Sequence, residues 1–180
     1  MLTDAITVAI DGMGGDNAPG MIIGGIDIAC SRAPNLRCLV FGDENQLKPL
    51  LENHPKAKAA VEIRHTTDVV RMDDKPTAAL RSGKNSSMRL AIDAVKNEEA
   101  SAIVSAGNTG ALMTMATVVL RMIPGISRPA IVTSFPTQSG DCVMLDLGAN
   151  IECDAENLVQ FAVMGEVFAR YELDIEQPSI

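Results

Sequence analysis

Three observations in the sequence predict an α/β protein with three α/β/α layers and a mostly parallel sheet. Apolar runs of strand length alternate with segments of helical periodicity along the 180 residues. Hydrophobic residues make up 47% of the chain and aromatic residues only 3%, which suits a sheet covered by helices. Glycine-rich segments stand between several strands and the helices that follow them. Because such sheets bind ligands beyond the carboxyl ends of their strands, we expect these loops to gather along one edge.

The alternating pattern predicts six strands and six helices. The strands are expected at Ala5–Ile10, Leu36–Phe41, Val61–His65, Ala102–Ser105, Ala130–Phe135 and Cys142–Asp146. The helices are expected at Ala18–Ser31, Asn45–Glu52, Thr77–Arg81, Ser86–Asn97, Thr109–Met122 and Ala155–Glu172. No linker divides the chain, so we predict a single α/β domain over residues 1–180. The final residues read as a helix stop before another strand, which predicts a domain incomplete at its C-terminus.

Charge and composition exclude several classes of function. The net charge of −8 argues against non-specific binding to nucleic acid. The apolar run Leu112–Ile123 is interrupted by Arg121 and is shorter than a bilayer span, and no signal peptide is recognisable at the start, so we expect a cytoplasmic protein. The four cysteines form no C-x-x-C motif and neither histidine lies near other ligands, so we expect no metal and no cofactor.

The first glycine loop, Asp11–Pro19, joins the first strand to the first helix. Gly12 and Gly14 fit the dinucleotide fingerprint G-x-G-x-x-G, but Asn17 occupies the third glycine position, so the fingerprint fails. Asp11 and Asp16 would repel a phosphate, so positive charge must come from elsewhere. We assign Gly14 and Gly15 to close backbone approach, and Asp16 or Asn17 to capping the helix that Pro19 enters.

Two further loops follow predicted strands. In Ser105–Ala111, backbone N–H groups at the helix start, with the Ser105 and Thr109 hydroxyls, could hold a phosphate or an oxyanion; a tight turn with Asn108 or Thr109 as N-cap explains them equally well. In Leu145–Asn150, Asp146 could orient a ligand or simply cap the turn.

The segment Arg71–Arg89 supplies the missing positive charge. It carries five basic residues and two acidic ones, a local net charge of +3 in an acidic chain. Lys84, Ser86 and Ser87 stand at a predicted helix start, where an ammonium, hydroxyls and free N–H groups would meet an anion. This is not a Walker A loop, because Ala78 stands where that motif has its first glycine. An exposed basic turn is the alternative.

Six blocks in register resemble the bacterial acyl-ACP:phosphate acyltransferase family. They are Asp11–Pro19, Lys75-Pro76 with Arg81, Lys84 and Ser86–Met88, Ser105–Ala111, Arg128–Ala130, Leu145–Asn150 and Asn157–Ala162. The resemblance implies a fold similar to isocitrate dehydrogenases and phosphotransacetylases. It also implies transfer of a fatty acyl group from acyl carrier protein to inorganic phosphate, giving acyl phosphate for phospholipid synthesis.

The resemblance further implies partners and site residues. It implies a homodimer that contacts the membrane peripherally. It also implies that the acyl phosphate product is passed to a membrane glycerol-3-phosphate acyltransferase. Arg71, Lys75 and Arg89 are candidates for docking the carrier protein. We assign catalytic roles to Lys84, Asn108 and Asp146. We assign substrate contacts to Asp11, Gly14, Gly15, Asp16, Arg81, Ser86, Ser87, Ser105, Gly107, Thr109, Gly110 and Asn150.

Three other functions remain alternatives. An NAD-dependent dehydrogenase of related fold would need the fingerprint that Asn17 breaks. A phosphotransacetylase-like enzyme would use acyl-CoA in place of acyl carrier protein. A non-catalytic fragment would dimerise or bind carrier protein without turnover.

Overall fold

A four-stranded parallel sheet forms the centre of the first of two compact units, which divide between Arg121 and Met122. The computed structural model describes residues 5–138 and 140–180. The strand order is β3-β2-β1-β4 and every neighbouring pair is parallel. The strands are β1 (Ile6–Asp11), β2 (Leu36–Gly42), β3 (Val61–His65) and β4 (Ala102–Val104).

The described residues of the first unit form six helices, and helices pack on both faces of its sheet. They are α1 (Gly20–Arg32), α2 (Glu44–Leu51), α3 (Pro55–Ala60), α4 (Pro76–Ser82), α5 (Ser87–Lys96) and α6 (Thr109–Leu120). Alternate strand residues face opposite layers, so Ile10 and Val40 pack with α1, α2 and α3, while Ala9 and Leu39 pack with α5. The predicted three-layer α/β/α class is confirmed.

Strand β1 marks the topological switch point of this sheet. The chain leaves β1 toward β2 and β3 on one side, and then returns to place β4 on the other side. The loops that follow β1 and β4 therefore start side by side at the carboxyl ends of neighbouring strands, which is the edge where open α/β sheets bind ligands. As the sequence predicts, the glycine loops at Asp11–Pro19 and Ser105–Ala111 lie at this edge.

The second unit contains β5 (Thr133–Thr137), β6 (Gly140–Met144) and the 18-residue helix α7 (Ala155–Glu172). The sequence predicted these two strands as part of a mostly parallel sheet, and this was wrong. They pair antiparallel in a sheet of their own, from Thr133 opposite Met144 to Thr137 opposite Gly140. Only a hairpin can join strands this close in sequence, because a parallel crossover needs a dozen or more residues.

Most helix and strand positions follow the predicted pattern, and side-chain caps explain several of the helix starts. Asp43, Ser86, Asn108 and Asp154 each accept a hydrogen bond from a backbone N–H in the first turn of the helix they precede. The sequence missed α3, which at six residues is too short to show periodicity. No helix among the described residues is long and apolar enough to cross a membrane. The expectation of one domain over residues 1–180 stays a prediction.

Candidate functional site

A buried carboxylate joins three distant segments at the switch point. Asp11 is 1% exposed and ends β1. Its Oδ1 accepts a hydrogen bond from Ser87 Oγ at 2.6 Å and a longer one from Met13 N at 3.3 Å, and its Oδ2 accepts one from Ser105 Oγ at 2.8 Å. Ser105 Oγ in turn accepts from Gly107 N at 3.1 Å. We call Asp11, Met13, Ser87, Ser105 and Gly107 the Asp11 cluster.

The two glycine loops touch through their backbones beside this cluster. A Cβ atom on Gly14 would lie 2.3 Å from Asp11 Oδ2 and 3.0 Å from Gly107 N. A Cβ atom on Gly107 would lie 3.2 Å from the Gly14 Cα. The overlap at Gly14 requires hydrogen in place of a side chain, whereas the contact at Gly107 is only tight, and the predicted close backbone approach at Gly14 is therefore present.

The start of α5 is held in place by hydroxyl groups. Ser86 Oγ caps α5 by accepting from Arg89 N and donates to Gly83 O at 2.7 Å. Thr66 Oγ1 donates to Asn85 O at 2.7 Å, and Ser87 N donates to Asp68 O at 2.9 Å. The loop that carries Lys84 is thus anchored on both sides.

Three cations of the basic segment, Lys75, Arg81 and Lys84, form no ion pair among the described residues. Arg81 and Lys84 are exposed, and neither pairs with a carboxylate of any described residue. Arg89, by contrast, pairs with Asp93 at 3.1 Å, and exposed Arg71 lies 3.8 Å from Asp73. The positive charge of this segment that is available to an anion therefore belongs to Lys75, Arg81 and Lys84.

Asn108 ties the basic segment to the start of α6. Its Oδ1 caps the helix by accepting from Ala111 N at 3.0 Å. Its Nδ2 donates to the carbonyl oxygens of Arg71, Met72 and Asp74 at 3.2, 3.1 and 2.9 Å. Asn108 is 8% exposed, and its whole amide is engaged in these contacts. Its position fits the N-cap alternative, and a catalytic role for it stays a prediction.

The first turn of α6 offers backbone hydrogen-bond donors at this edge. Thr109 and Gly110 are the first two residues of the helix, where backbone N–H groups have no partner within the helix. Thr109 is exposed and Gly110 half-buried. Because the α6 dipole also favours negative charge here, this turn suits an anion or an oxyanion.

In the second unit, Asp146 and Asn150 form a local cluster. Asp146 Oδ1 accepts from Ile131 N at 2.8 Å, while its Oδ2 accepts from Asn150 N at 2.7 Å and from Asn150 Nδ2 at 3.1 Å. Asn150 Nδ2 also donates to Pro129 O at 2.9 Å. We call Pro129, Ile131, Asp146 and Asn150 the Asp146 cluster.

The pKa of Asp146 lies below its ordinary value. Desolvation is the largest single influence and raises this pKa. Hydrogen bonds from the Ile131, Asn150 and Ala149 backbone and from the Asn150 side chain together outweigh it, since they favour the ionised form. Asp146 therefore serves as a charged acceptor that closes its own loop.

One prediction for the first glycine loop was wrong. Neither Asp16 nor Asn17 caps α1: Pro19 holds the N-cap position, and no side chain makes a cap hydrogen bond. Asn17 contributes its backbone carbonyl instead, which accepts from Met21 N at 3.1 Å. Asp16 is exposed and Gly15 adopts φ +106°.

Sequence reasoning missed Thr66 and Asp68, which hold the start of α5. Thr66 is 8% exposed, and its Oγ1 also accepts from Asp68 N at 3.2 Å. Both residues follow β3, so polar residues at the carboxyl end of that strand were the available signal. In the described part of the chain, no buried side-chain nitrogen or oxygen lacks a partner, and no group of three His, Cys, Asp or Glu could hold a metal ion.

Comparison with known proteins gives a consistent result. A family model described as "Fatty acid synthesis protein" matches residues 6–180. The phosphate acyltransferase of Rhodospirillum centenum is 56% identical over 179 residues, which are 99% of this chain and 50% of that protein. Those of Parvibaculum lavamentivorans and Paramagnetospirillum magneticum are 56% and 52% identical, each over 99% of this chain. The chain spans about half the length of the curated relatives it matches.

Proposed function

We propose, since this chain belongs to the family of fatty acid synthesis proteins, that it forms the phosphate-binding part of an acyltransferase. The proposed reaction moves a fatty acyl group from the thioester of acyl carrier protein to inorganic phosphate and gives acyl phosphate for phospholipid synthesis. Relatives at 50–56% identity carry the name phosphate acyltransferase, which supports phosphate as the acceptor.

One observation carries this proposal: Arg81, in the last turn of α4, and Lys84, just after that helix, form no ion pair among the described residues and lie in the assembly that holds the two glycine loops. Arg81 and Lys84 lie on the segment between Asn108's carbonyl partners and Ser87 of the Asp11 cluster. Their charge can neutralise a dianion that the carboxylates of the first glycine loop would repel. The first turn of α6 adds N–H donors at the same sheet edge.

The chemistry needs position and charge more than a protein nucleophile. A phosphate oxygen attacks the thioester carbonyl carbon, the carbon–sulfur bond breaks, and the carrier thiolate leaves and takes up a proton. In our proposal Arg81 and Lys84 hold the phosphate, and the N–H groups of Thr109 and Gly110 donate to the phosphate or to the carbonyl oxygen as it becomes an oxyanion. Lys84 keeps its proposed catalytic role because its ammonium lies exposed on an anchored loop.

Other predicted site residues take supporting roles in the proposal. Asn108 positions the start of α6, and Asp146 and Asn150 hold their own loop, because the polar side-chain atoms of these residues are already engaged. Exposed Lys75 and Arg71 are proposed to attract the acidic carrier protein. A homodimer, peripheral membrane contact, a cytoplasmic location and delivery to a membrane glycerol-3-phosphate acyltransferase belong to the same proposal.

The test is formation of acyl phosphate by the chain, with hydroxylamine as the trapping reagent. Acyl carrier protein bearing a long acyl group and inorganic phosphate are the substrates. Lys84→Ala should raise the phosphate KM or lower kcat about tenfold, or about 1.4 kcal/mol of transition-state stabilisation. Lys96→Ala is the matched control, because Lys96 is an exposed lysine at the opposite end of α5.

Each contrary result points to a particular alternative. Unchanged kinetics in Lys84→Ala would remove Lys84 from the site. Faster turnover of acyl-CoA than of acyl carrier protein would favour the phosphotransacetylase-like enzyme. Carrier-protein binding without any acyl phosphate would favour the non-catalytic fragment.

A further inference from the structure

The hydroxyl groups of the Asp11 cluster are oriented by the carboxylate and not by a ligand. A serine hydroxyl has one hydrogen to donate, and an ionised carboxylate only accepts. Ser87 and Ser105 both donate that hydrogen to Asp11, at 2.6 and 2.8 Å. Neither hydroxyl therefore has a hydrogen left for a phosphate oxygen, although the sequence suggested both as phosphate ligands.

We propose that Asp11 is a positioning residue, which locks Ser87 and Ser105 and thereby positions the backbone N–H groups of Thr109 and Gly110, at the end of the same loop, as donors to the anion. This rests on the proposed function, because the anion is the phosphate of that reaction. A buried carboxylate here touches no substrate and acts only through the residues it holds.

The connection from Asp11 to that loop is continuous. Ser105 donates to Asp11 and accepts from Gly107 N, so the carboxylate fixes the direction of the Gly107 N–H through one intervening hydroxyl. Gly107 also lies against Gly14. Asn108, the next residue after Gly107, is the N-cap of α6. A displacement of Asp11 therefore moves the first turn of α6 relative to the first glycine loop.

The buried charge of Asp11 is balanced without a cation. No lysine or arginine of the described residues forms an ion pair with it. Ser87 is the first residue of the ten-residue helix α5, so the carboxylate lies at the positive end of that helix dipole. Three hydrogen bonds and the N-terminus of α5 face the Asp11 carboxylate in place of a salt bridge, so Arg81 and Lys84 stay free for the substrate.

The test follows the Gly107 amide by hydrogen exchange in the 180-residue chain and phosphate affinity by ³¹P NMR. Asp11→Asn and Ser105→Ala should each speed Gly107 exchange and weaken phosphate binding, Asp11→Asn by about tenfold. The double variant should be no worse than Asp11→Asn, and Ser105→Thr should restore both readouts. Ser101→Ala is the control, because Ser101 is exposed and directly precedes β4. It should change neither Gly107 exchange nor phosphate affinity.

Ser87→Ala keeps the inference falsifiable if Asp11→Asn fails to fold. Ser87 is bonded to Asp11 and not to Gly107, so faster Gly107 exchange in Ser87→Ala requires transmission through the carboxylate. Unchanged Gly107 exchange in both Asp11→Asn and Ser87→Ala would overturn the inference. Tighter phosphate binding in Asp11→Asn with unchanged Gly107 exchange would also overturn it, because Asp11 would then act directly on the ligand.

The two proposals fail separately. If the unaltered chain binds no phosphate, the proposed function fails and the ligand part of this inference fails with it. The exchange measurements still decide whether Asp11 holds the 105–107 loop, because they need no ligand.

Discussion

Two aspartates at strand ends, one in each unit, gather their partners in different ways. Asp11 ends β1, and Asp146 follows β6; each is followed within two residues by a glycine. Asp11 binds hydroxyls that lie 76 and 94 residues away in the sequence. Asp146 binds groups only 4 and 15 residues away. The same local pattern therefore assembles distant segments in one unit and closes a nearby loop in the other.

The difference comes from what surrounds each strand. β1 has a neighbouring strand on each side, and α5 packs on one face of the sheet. Side chains from the start of α5 and from the end of β4 therefore reach the Asp11 carboxylate. The strands of the second unit form an isolated hairpin, and the Asp146 carboxylate finds mainly backbone N–H groups of its own neighbourhood. The Asp11 arrangement is the one suited to a ligand-binding site, because it brings polar groups from several chain segments together.

The largest expected effect breaks the assembly at Asp11. In Gly14→Ala the new Cβ would lie 2.3 Å from Asp11 Oδ2, inside a well-packed region. Relieving this overlap should cost about 3 kcal/mol of the free energy of unfolding, measured by urea denaturation. The same substitution at Gly25, an exposed position in α1 where a Cβ meets nothing within 4 Å, is the control and should stabilise slightly. Equal effects at the two glycines would contradict the packed contact.

A smaller effect is expected when the charge of Asp146 is removed. Its pKa lies below the ordinary value, so its ionised form stabilises the folded unit, fully above about pH 5, and this contribution is lost as the pH falls through the folded pKa. Asp146→Asn should cost about 2 kcal/mol at neutral pH, since a charged acceptor of three hydrogen bonds is lost. The difference from the unaltered chain should shrink in acid.

Hydrogen exchange locates that effect. The amides of Ile131 and Asn150, which donate to Asp146, should exchange faster in Asp146→Asn, while the Gly107 amide should not change. A stability difference that stays constant from neutral pH into acid would show that the Asp146 charge is not what holds the loop.

The sequence predicted the loops and helices around the two aspartates but not the hydrogen-bond partners of Asp11. The succession of strand, glycine and helix located the loops at Asp11 and Ser105, and the helical periodicity of Ala155–Glu172 located α7. The pairing of Ser87 with Asp11 depends on how α5 lies on the sheet, and no local pattern encodes a contact over 76 residues. The basic segment signalled an anion through its charge, whereas Thr66, a single buried threonine, carried no comparable signal.

The smallest expected quantity is the difference in stability between loss of a helix cap in one unit and loss of a cap in the other. Asp154 and Asn157 form a capping box at α7, so Asp154→Ala should cost about 1 kcal/mol, and Asp154→Ser should restore most of it. Asn108→Ala removes a cap of the same kind at α6 and also leaves three carbonyl oxygens of the basic segment without their donor. It should therefore cost about 1 kcal/mol more than Asp154→Ala in urea denaturation. If the two alanine variants lose the same stability, the bonds from Asn108 to the basic segment contribute nothing measurable, and the contrast between long-range and local assembly would not extend beyond the two aspartates.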